Sequence, residues 1–330
     1  MKEHDIRPEK LHDRYLELSA HDAEKCFRGC EKRDILCVGC GGRQLQFQFE
    51  KNGFPYSLCE ECGSLFQSPR PSISAFEKFY RESESSQYWA ESFFPAVAEA
   101  RRDKVFKSRV KRLSDLCETK GLDAQKIVDV GAGYGIFLEE WRNIYPDVNA
   151  IAIEPSQYLA NECRSKNLVV LEDIVENIEG YDNYADLVIC FEVLEHVYEP
   201  LSFIQTLMKL VRPGGYVFLS TLCVDGFDIQ MLWENSKSIF PPHHINFLSI
   251  RGFEQLFGRA GLTEINITTP GQLDVDIVRN SMSQNHLYQS NHRFFSKMID
   301  NSKQAASFQQ FLTDNCLSSH AWVMGKKPNN

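Results

Sequence analysis

Four cysteines stand in two pairs, Cys37-Val-Gly-Cys40 and Cys59-Glu-Glu-Cys62, with 18 residues between the pairs. Two thiols three positions apart on a tight knuckle, set against a second such pair, supply tetrahedral coordination, and this spacing matches structural zinc. Gly41-Gly42 and Gly63 follow the knuckles, where tight turns are needed. Four Cys ligands leave no position for a catalytic water, so the Zn2+ expected at Cys37, Cys40, Cys59 and Cys62 is structural. The other seven cysteines are scattered, and Cys26 and Cys30 lie in a charged, helix-like stretch that makes poor competition for the ion. Cys190, in a strongly apolar run, reads as a small core residue.

A second candidate centre is the segment Phe240-Pro241-Pro242-His243-His244-Ile245-Asn246. A histidine poised near neutral pH can take a proton from a hydroxyl, and His244 is favoured over His243. The plainer reading is a pair that stabilises its own loop. His196, in Glu195-His196-Val197, is a third candidate, with support of a pocket edge as its alternative.

A glycine-rich turn, Asp129-Val130-Gly131-Ala132-Gly133-Tyr134-Gly135, follows a predicted strand and opens a helix. Glycines there permit positive φ and close approach of a ligand, and the helix start offers free N–H groups. Glu154 ends the next strand, where a carboxylate can accept from a ribose hydroxyl pair. The glycines stand two apart, without the longer spacing that a pyrophosphate needs.

The elements that must position these groups alternate strand and helix from residue 127. Strands are predicted at 127–130, 150–153, 168–171, 185–191, 216–220, 264–268 and 321–325, with helices at 136–141, 156–166, 200–211 and 250–260 between them. Such alternation predicts an α/β sandwich with a mostly parallel sheet, whose ligands bind at the carboxyl ends of the strands. Residues 1–35 form a charged N-terminal segment, 36–70 the zinc-ribbon module and 71–126 a helical lead-in; 127–330 form the main domain, with an insertion at about 270–319. Gln67-Ser68-Pro69-Arg70-Pro71 reads as a linker. In the insertion, Asp274 and Asp276 would share one face if extended and could bind hydroxyls; a solvated loop is the alternative. Phe294, Phe295, Met298 and Ile299, then Phe308, Phe311 and Leu312, read as amphipathic helices that offer a lid or a homodimer contact, or pack onto the sheet. Tyr88, Trp89, Phe93 and Phe94 either cover the ligand or pack.

The order of motifs resembles class I S-adenosylmethionine (SAM) methyltransferases. Asp129–Gly135 resembles their first motif and Ala152-Ile153-Glu154-Pro155 their acidic second motif. Residues 185–197 resemble the fourth-strand motif, and Arg212-Pro213-Gly214-Gly215 the turn before strand five. The resemblance implies a Rossmann-like seven-stranded sheet with SAM as cofactor. Gly131, Gly133 and Gly135 would line its methionine portion, and Glu154 would hold its ribose. Asp173 would lie near the adenine, Phe191 and Glu192 beneath the cofactor, and Asp129 behind the loop or near the ammonium. Ala132, Phe137 and Pro155 belong to the same implied cofactor site.

The histidine loop together with the cysteine module resembles bacterial zinc-containing methyltransferases of sugar and polysaccharide biosynthesis. Their sugar C-methyltransferases carry a Tyr and a Glu-His pair in this loop. Here His244 matches the His, His243 replaces the Glu, and Pro241 stands where the Tyr would be. These departures, with no room for the further C-terminal domain of that branch, favour O-methylation of a nucleotide-linked sugar or glycan precursor. An RNA methyltransferase with a zinc-ribbon reader is the second reading, and a SAM-binding scaffold without turnover the third. A net charge of −9 disfavours nucleic acid as partner, and the basic run from Arg101 to Arg112 reads as a solvated helix face. No apolar run is long enough to span a membrane. The charged start MKEHDIRPEK lacks a secretory pattern, so a cytoplasmic location is expected.

Overall fold

The computed structural model describes residues 2–284 and 293–329. In chain order the strands are β1 (Lys32–Arg33), β2 (Leu45–Lys51), β3 (Phe54–Cys59), β4 (Leu65–Gln67), β5 (Arg70–Pro71), β6 (Lys126–Val130), β7 (Asn149–Ile153), β8 (Val169–Leu171), β9 (Ala185–Phe191), β10 (Val211–Leu222), β11 (Asn246–Phe247), β12 (Thr263–Thr268) and β13 (His320–Lys326). Seven of them form the main sheet in the order β12-β13-β10-β9-β6-β7-β8. Strands β6 to β10 in this sheet are parallel, and β13 inserts antiparallel between β10 and β12. This is the mostly parallel sheet expected from the alternation of elements, with the seven strands that the resemblance implies.

Alternation along each strand makes two cores. Val128, Val130, Ile151, Ile153, Val188, Cys190, Val217 and Leu219 face one side, against the helices Pro200–Leu210 and Ile250–Ala260. Ile127, Ala150, Ala152, Leu187, Ile189 and Phe218 face the other, against Lys107–Thr119 and Ile136–Ile144. Period-2 burial on both faces is what a doubly covered sheet requires. Cys190 is fully buried among these residues.

The chain ahead of the sheet is packed, not appended. Helix Glu9–Phe27 buries Tyr15, Leu18, Asp22 and Phe27. The stretch predicted as helical after residue 72 contains Ile73–Glu82 and then a run from Glu84 to Thr119 with two wide π turns, Trp89–Phe93 and Arg102–Phe106. Pro95 has no N–H for the turn before it, and the first wide turn sits there. Strands β2, β3 and β4 make an antiparallel ribbon whose fourth strand is β11, from the far side of the sequence.

Several local expectations change. Residues 67–71 are no slack linker: Gln67, Ser68 and Arg70 are buried, and β5 pairs with β1. Arg70 is fully buried because its guanidinium is consumed. It donates to the carbonyls of Tyr198 (2.6 Å) and Ile245 (3.4 Å) and to Asn246 Oδ1 (2.8 Å). Asp274 and Asp276 do not lie on an extended face; they open the helix Asp274–Gln284. Asp274 accepts from Ser318 Oγ (2.6 Å) and the Ser319 amide (2.7 Å), and Asp276 from Lys2 and the Glu3 amide. The helices Arg293–Asp300 and Ser302–Asp314 pack with Leu232, Val275, Val278 and Met282 in a separate core, not onto the sheet. Phe294 and Phe311 stay exposed.

Candidate active site

The turn between β6 and the helix Ile136–Ile144 is held at three left-handed glycines, with φ of 73°, 56° and 67° at Gly131, Gly133 and Gly135. A Cβ on Gly131 would stand 2.6 Å from Val193, and one on Gly135 the same distance from Leu168; at Gly133 it would meet nothing within 4 Å. Two glycines therefore serve packing, while Gly133 faces open space. Glu154, at the end of β7, accepts the Gly133 amide and the Ser156 amide, each at 2.9 Å. Burial pushes its carboxyl up, against the pull of these two bonds. Asp129 is buried with Oδ1 unpaired among the described residues, and burial, then the Glu154 charge, pushes it up to about 8. Phe94 stacks on Tyr134 in this turn at 4.4 Å, so the helix Phe94–Arg101 covers the loop. Trp89 stacks on the fully buried Phe93 at 4.5 Å and packs inward.

At the ends of β9 and β10 the side chains interlock. Glu192 takes φ of +55°, an uncommon conformation for a non-glycine residue. Its Oε1 accepts from Arg109 (3.0 Å) and Ser220 Oγ (2.6 Å). Burial alone would raise Glu192; His320, Arg109 and the Ser220 hydroxyl outweigh it and hold the carboxyl at about 2. Phe191 packs on Phe137 at 4.6 Å, with the Arg109 guanidinium 5.0 Å from its ring. Asp173 lies exposed just beyond β8, where its Oδ1 caps the following turn by accepting the Ile174 amide and Asn177 Nδ2.

The three candidate histidines come together. His196 lies 4.8 Å from His244 and 6.2 Å from His243 between ring centroids. His244 Nδ1 donates to the Ser238 carbonyl at 2.8 Å, which leaves Nε2 as the free lone pair. His243 Nε2 pairs with Ser85 Oγ at 2.8 Å, and that hydroxyl pairs with Asp22 at 2.6 Å. Burial pushes His243 and His244 well below the usual imidazole range and His196 down to about 4. Ligand atoms of Glu195, His196 and His244 all lie within 4.8 Å of one another. Two imidazoles and a carboxylate are also a donor set for divalent transition metals. Glu195 accepts from Thr221 Oγ1 at 2.7 Å, and burial together with Glu192 pushes it up to about 8.

A family described as a methyltransferase domain matches residues 98–267, just over half of the chain. The chain belongs to the class I SAM-dependent methyltransferases. Curated relatives named ubiquinone biosynthesis O-methyltransferase include one from Vibrio cholerae, 36% identical over 110 residues, 32% of this chain and 45% of the relative. One from Albidiferax ferrireducens is 35% identical over 120 residues, 34% of this chain and 46% of the relative. The chain thus spans less than half the length of the relatives it matches. Their names support neither the sugar nor the RNA acceptor expected from the loop and the cysteines. Among solved structures, a SAM-dependent methyltransferase from Thermotoga maritima aligns with TM-score 0.45 and 17% identity, over 71% of this chain and 97% of that one. The plantazolicin methyltransferase BpumL, solved with S-adenosylhomocysteine (SAH), aligns with TM-score 0.49 and 14% identity, over 77% of this chain and 94% of that one.

The residues at the glycine turn and the strand ends fit SAM. Each Glu154 oxygen keeps a lone pair after serving the backbone, enough for a ribose hydroxyl pair. The unpaired Asp129 oxygen matches a cationic ammonium, and the open side of Gly133 leaves a path to the strand ends. Ala132 lies within the turn, Phe137 and Phe191 form its apolar floor, and Pro155 follows Glu154 between β7 and the next helix.

The four cysteine sulfurs also lie within 4.8 Å of one another, with Cys37–Cys62 and Cys40–Cys59 each at 3.5 Å. Thiolates on zinc at about 2.3 Å stand roughly 3.8 Å apart, so the cluster has the size for that ion. All eleven cysteines are free, and Cys26 and Cys30 stay outside the group. The knuckles are near copies: the Gly41 and Gly63 amides each donate to the carbonyl of the first cysteine of their pair at 2.8 Å.

Sequence reasoning missed Glu195, Arg70, Arg109, Asp22 and Ser85. Glu195 and Arg109 stood inside quoted motifs without a role. The basic run 101–112 is not a solvated face: Arg102 bridges Glu139 and Glu140, Arg109 holds Glu192, and Arg112 lies over Trp322. Of the basic residues of this run only Lys104, Lys107 and Lys111 are exposed.

Proposed function

We propose that the protein transfers a methyl group from SAM to a hydroxyl of a small polar acceptor. The cofactor supplies an electrophilic methyl on a sulfonium; the chain must orient the acceptor and take its proton. The single observation behind this reading is the His244 ring. Its Nδ1–H is spent on Ser238, which leaves the Nε2 lone pair for a proton, and the ring lies within ligand distance of Glu195 and His196. His244 accepts the hydroxyl proton there, and the charge that forms draws the neighbouring Glu195 carboxyl toward ionisation. His243, tied through Ser85 to Asp22, positions the loop, and His196 packs between the two. Cys37, Cys40, Cys59 and Cys62 hold a structural zinc.

For the acceptor we favour a nucleotide-linked sugar or glycan precursor, on the pairing of the cysteine ribbon with the histidine loop through β11. A phenolic hydroxyl of a quinone precursor is the second reading, favoured by the names of the curated relatives. Use of the arginines of 101–112 inside the fold supports a small molecule over RNA. Incubation with methyl-labelled SAM and separate pools of nucleotide sugars, dihydroxybenzoates and total RNA decides among them. Label in a nucleotide sugar upholds the first reading, label in a dihydroxybenzoate the second, and label in RNA overturns both.

A further inference from the structure

Glu195, His196 and His244 are brought together by the backbone around them. The Ile245 amide donates to the Glu195 carbonyl at 2.8 Å. Asn246 Nδ2 donates to the carbonyls of Leu194 (3.0 Å) and Val197 (2.7 Å). The turn after β9 is thus stapled to the start of β11. Tyr56 Oη, from β3, donates to the His244 carbonyl at 2.6 Å. A ligand set held by its scaffold needs little reorganisation to close on an ion.

The side chains are also oriented from outside the group. His244 Nδ1 donates to the Ser238 carbonyl at 2.8 Å, and Thr221 Oγ1 donates to Glu195 Oε2 at 2.7 Å. Such outer contacts fix the tautomer and direction of metal ligands. His196 Nδ1 is buried with no partner among the described residues. Buried polar atoms are nearly always paired, and an ion is a partner that serves a bare nitrogen. One ligand atom from each of the three lies within 4.8 Å of the others. Donors on a tetrahedral zinc at about 2.1 Å stand roughly 3.4 Å apart, so the group has to close by about 1.4 Å at its widest. Two imidazoles and a carboxylate leave a fourth position open, unlike the four cysteines of the ribbon.

We propose that Glu195, His196 and His244 form a second metal site, for a divalent transition ion such as Zn2+, which shuts off methyl transfer. The inference rests on the methyl-transfer reading, in which the His244 Nε2 lone pair takes the acceptor proton. With Nδ1–H given to Ser238, an ion on His244 uses that same lone pair. Ion and proton compete for it, and the loaded site holds no base.

Cobalt titration of the full chain with zinc already in the ribbon tests the site. A single further Co2+ is expected, with the ligand-field absorption of nitrogen and oxygen donors and no thiolate charge transfer. Affinity should fall about a hundredfold or more in His196→Ala and in His244→Ala. It should fall about tenfold in Thr221→Val, which only loosens the Glu195 carboxylate. Cobalt seen only on thiolates, or equal affinity in the wild type and both alanine variants, overturns the site; the latter is an adventitious ion. Retained SAH binding shows an intact fold, and should one alanine variant not fold, the other decides. Inhibition is read with methyl-labelled SAM on the acceptor pool that takes label. Saturating Co2+ should lower turnover by about a hundredfold, the loss of a general base, and a chelator too weak to strip the ribbon should restore it. Turnover that holds or rises with the site full overturns the competition. If no pool takes label, the methyl-transfer reading and the inhibition fall together, and the cobalt titration alone judges the metal site.

Discussion

The cysteine cluster and the histidine cluster are both small, mostly buried groups of ligating side chains, yet they are built oppositely. The four cysteines come from 26 consecutive residues, on two knuckles of the same design. The histidine group draws on the end of β9, the loop before β11, the N-terminal helix and Ser85. The first is closed by identical donors and is set up to hold shape. The second has unlike donors and an unusual backbone angle at the nearby Glu192, and it is the group to which we assign the proton transfer. Local ligands make a brace; ligands gathered from afar make a site that depends on the whole fold.

The strongest way to break this contrast is to remove the metal. Cys59→Ser, or chelation, should cost zinc and the cooperative unfolding transition together, because such binding is folding free energy, on the order of 10 kcal/mol. Elemental analysis with thermal melts checks it, and a cysteine variant that melts like wild type would end the brace. His244→Ala should leave the fold and SAH affinity alone and lower turnover by about 10² to 10⁴. Equal losses in SAH affinity and rate would make it a cofactor-site residue. Arg70→Met, at the joint between the two regions, strands several buried acceptors and should cost about 3 kcal/mol in urea unfolding. A loss below about 1 kcal/mol would mean that the regions do not lean on this joint.

The smallest effect is a pH slope. Asp228 is pushed up to about 8 by burial and then by Asp274. Its folded value lies above its unfolded one, so the folded state holds a proton that the unfolded chain has lost. Stability from this group is therefore full below about pH 4 and falls as pH rises toward 8. Asp228→Asn should flatten the decline between pH 6 and 8 by up to about 1.4 kcal/mol per pH unit. Identical slopes would show that Asp228 ionises freely in the fold.

What the sequence made legible follows the same contrast. All seven sheet strands could be read, because each carries its burial pattern locally. The CxxC pairs were legible for the same reason. Asp22 and Ser85 were not, since nothing near them in the chain announces a partner at residue 243. Arg70 looked like part of a linker because its acceptors belong to residues 198, 245 and 246. The basic helix looked solvated because its acidic and aromatic partners lie at 139, 140, 192 and 322. Asp274 and Asp276 were misjudged through one helix start that their spacing does not reveal.

Strand β11 gives the ribbon an order in time. During synthesis all four thiols are made by residue 62, far ahead of residues 246–247, so they can meet an ion on the nascent chain before β11 exists. The free edge of β4 then waits for residues 246–247, and Arg70 waits for the same stretch. Until they arrive the ribbon is a three-stranded sheet with the edge of β4 open as well as that of β2. The histidine loop, which leads directly into β11, takes its place as that edge closes.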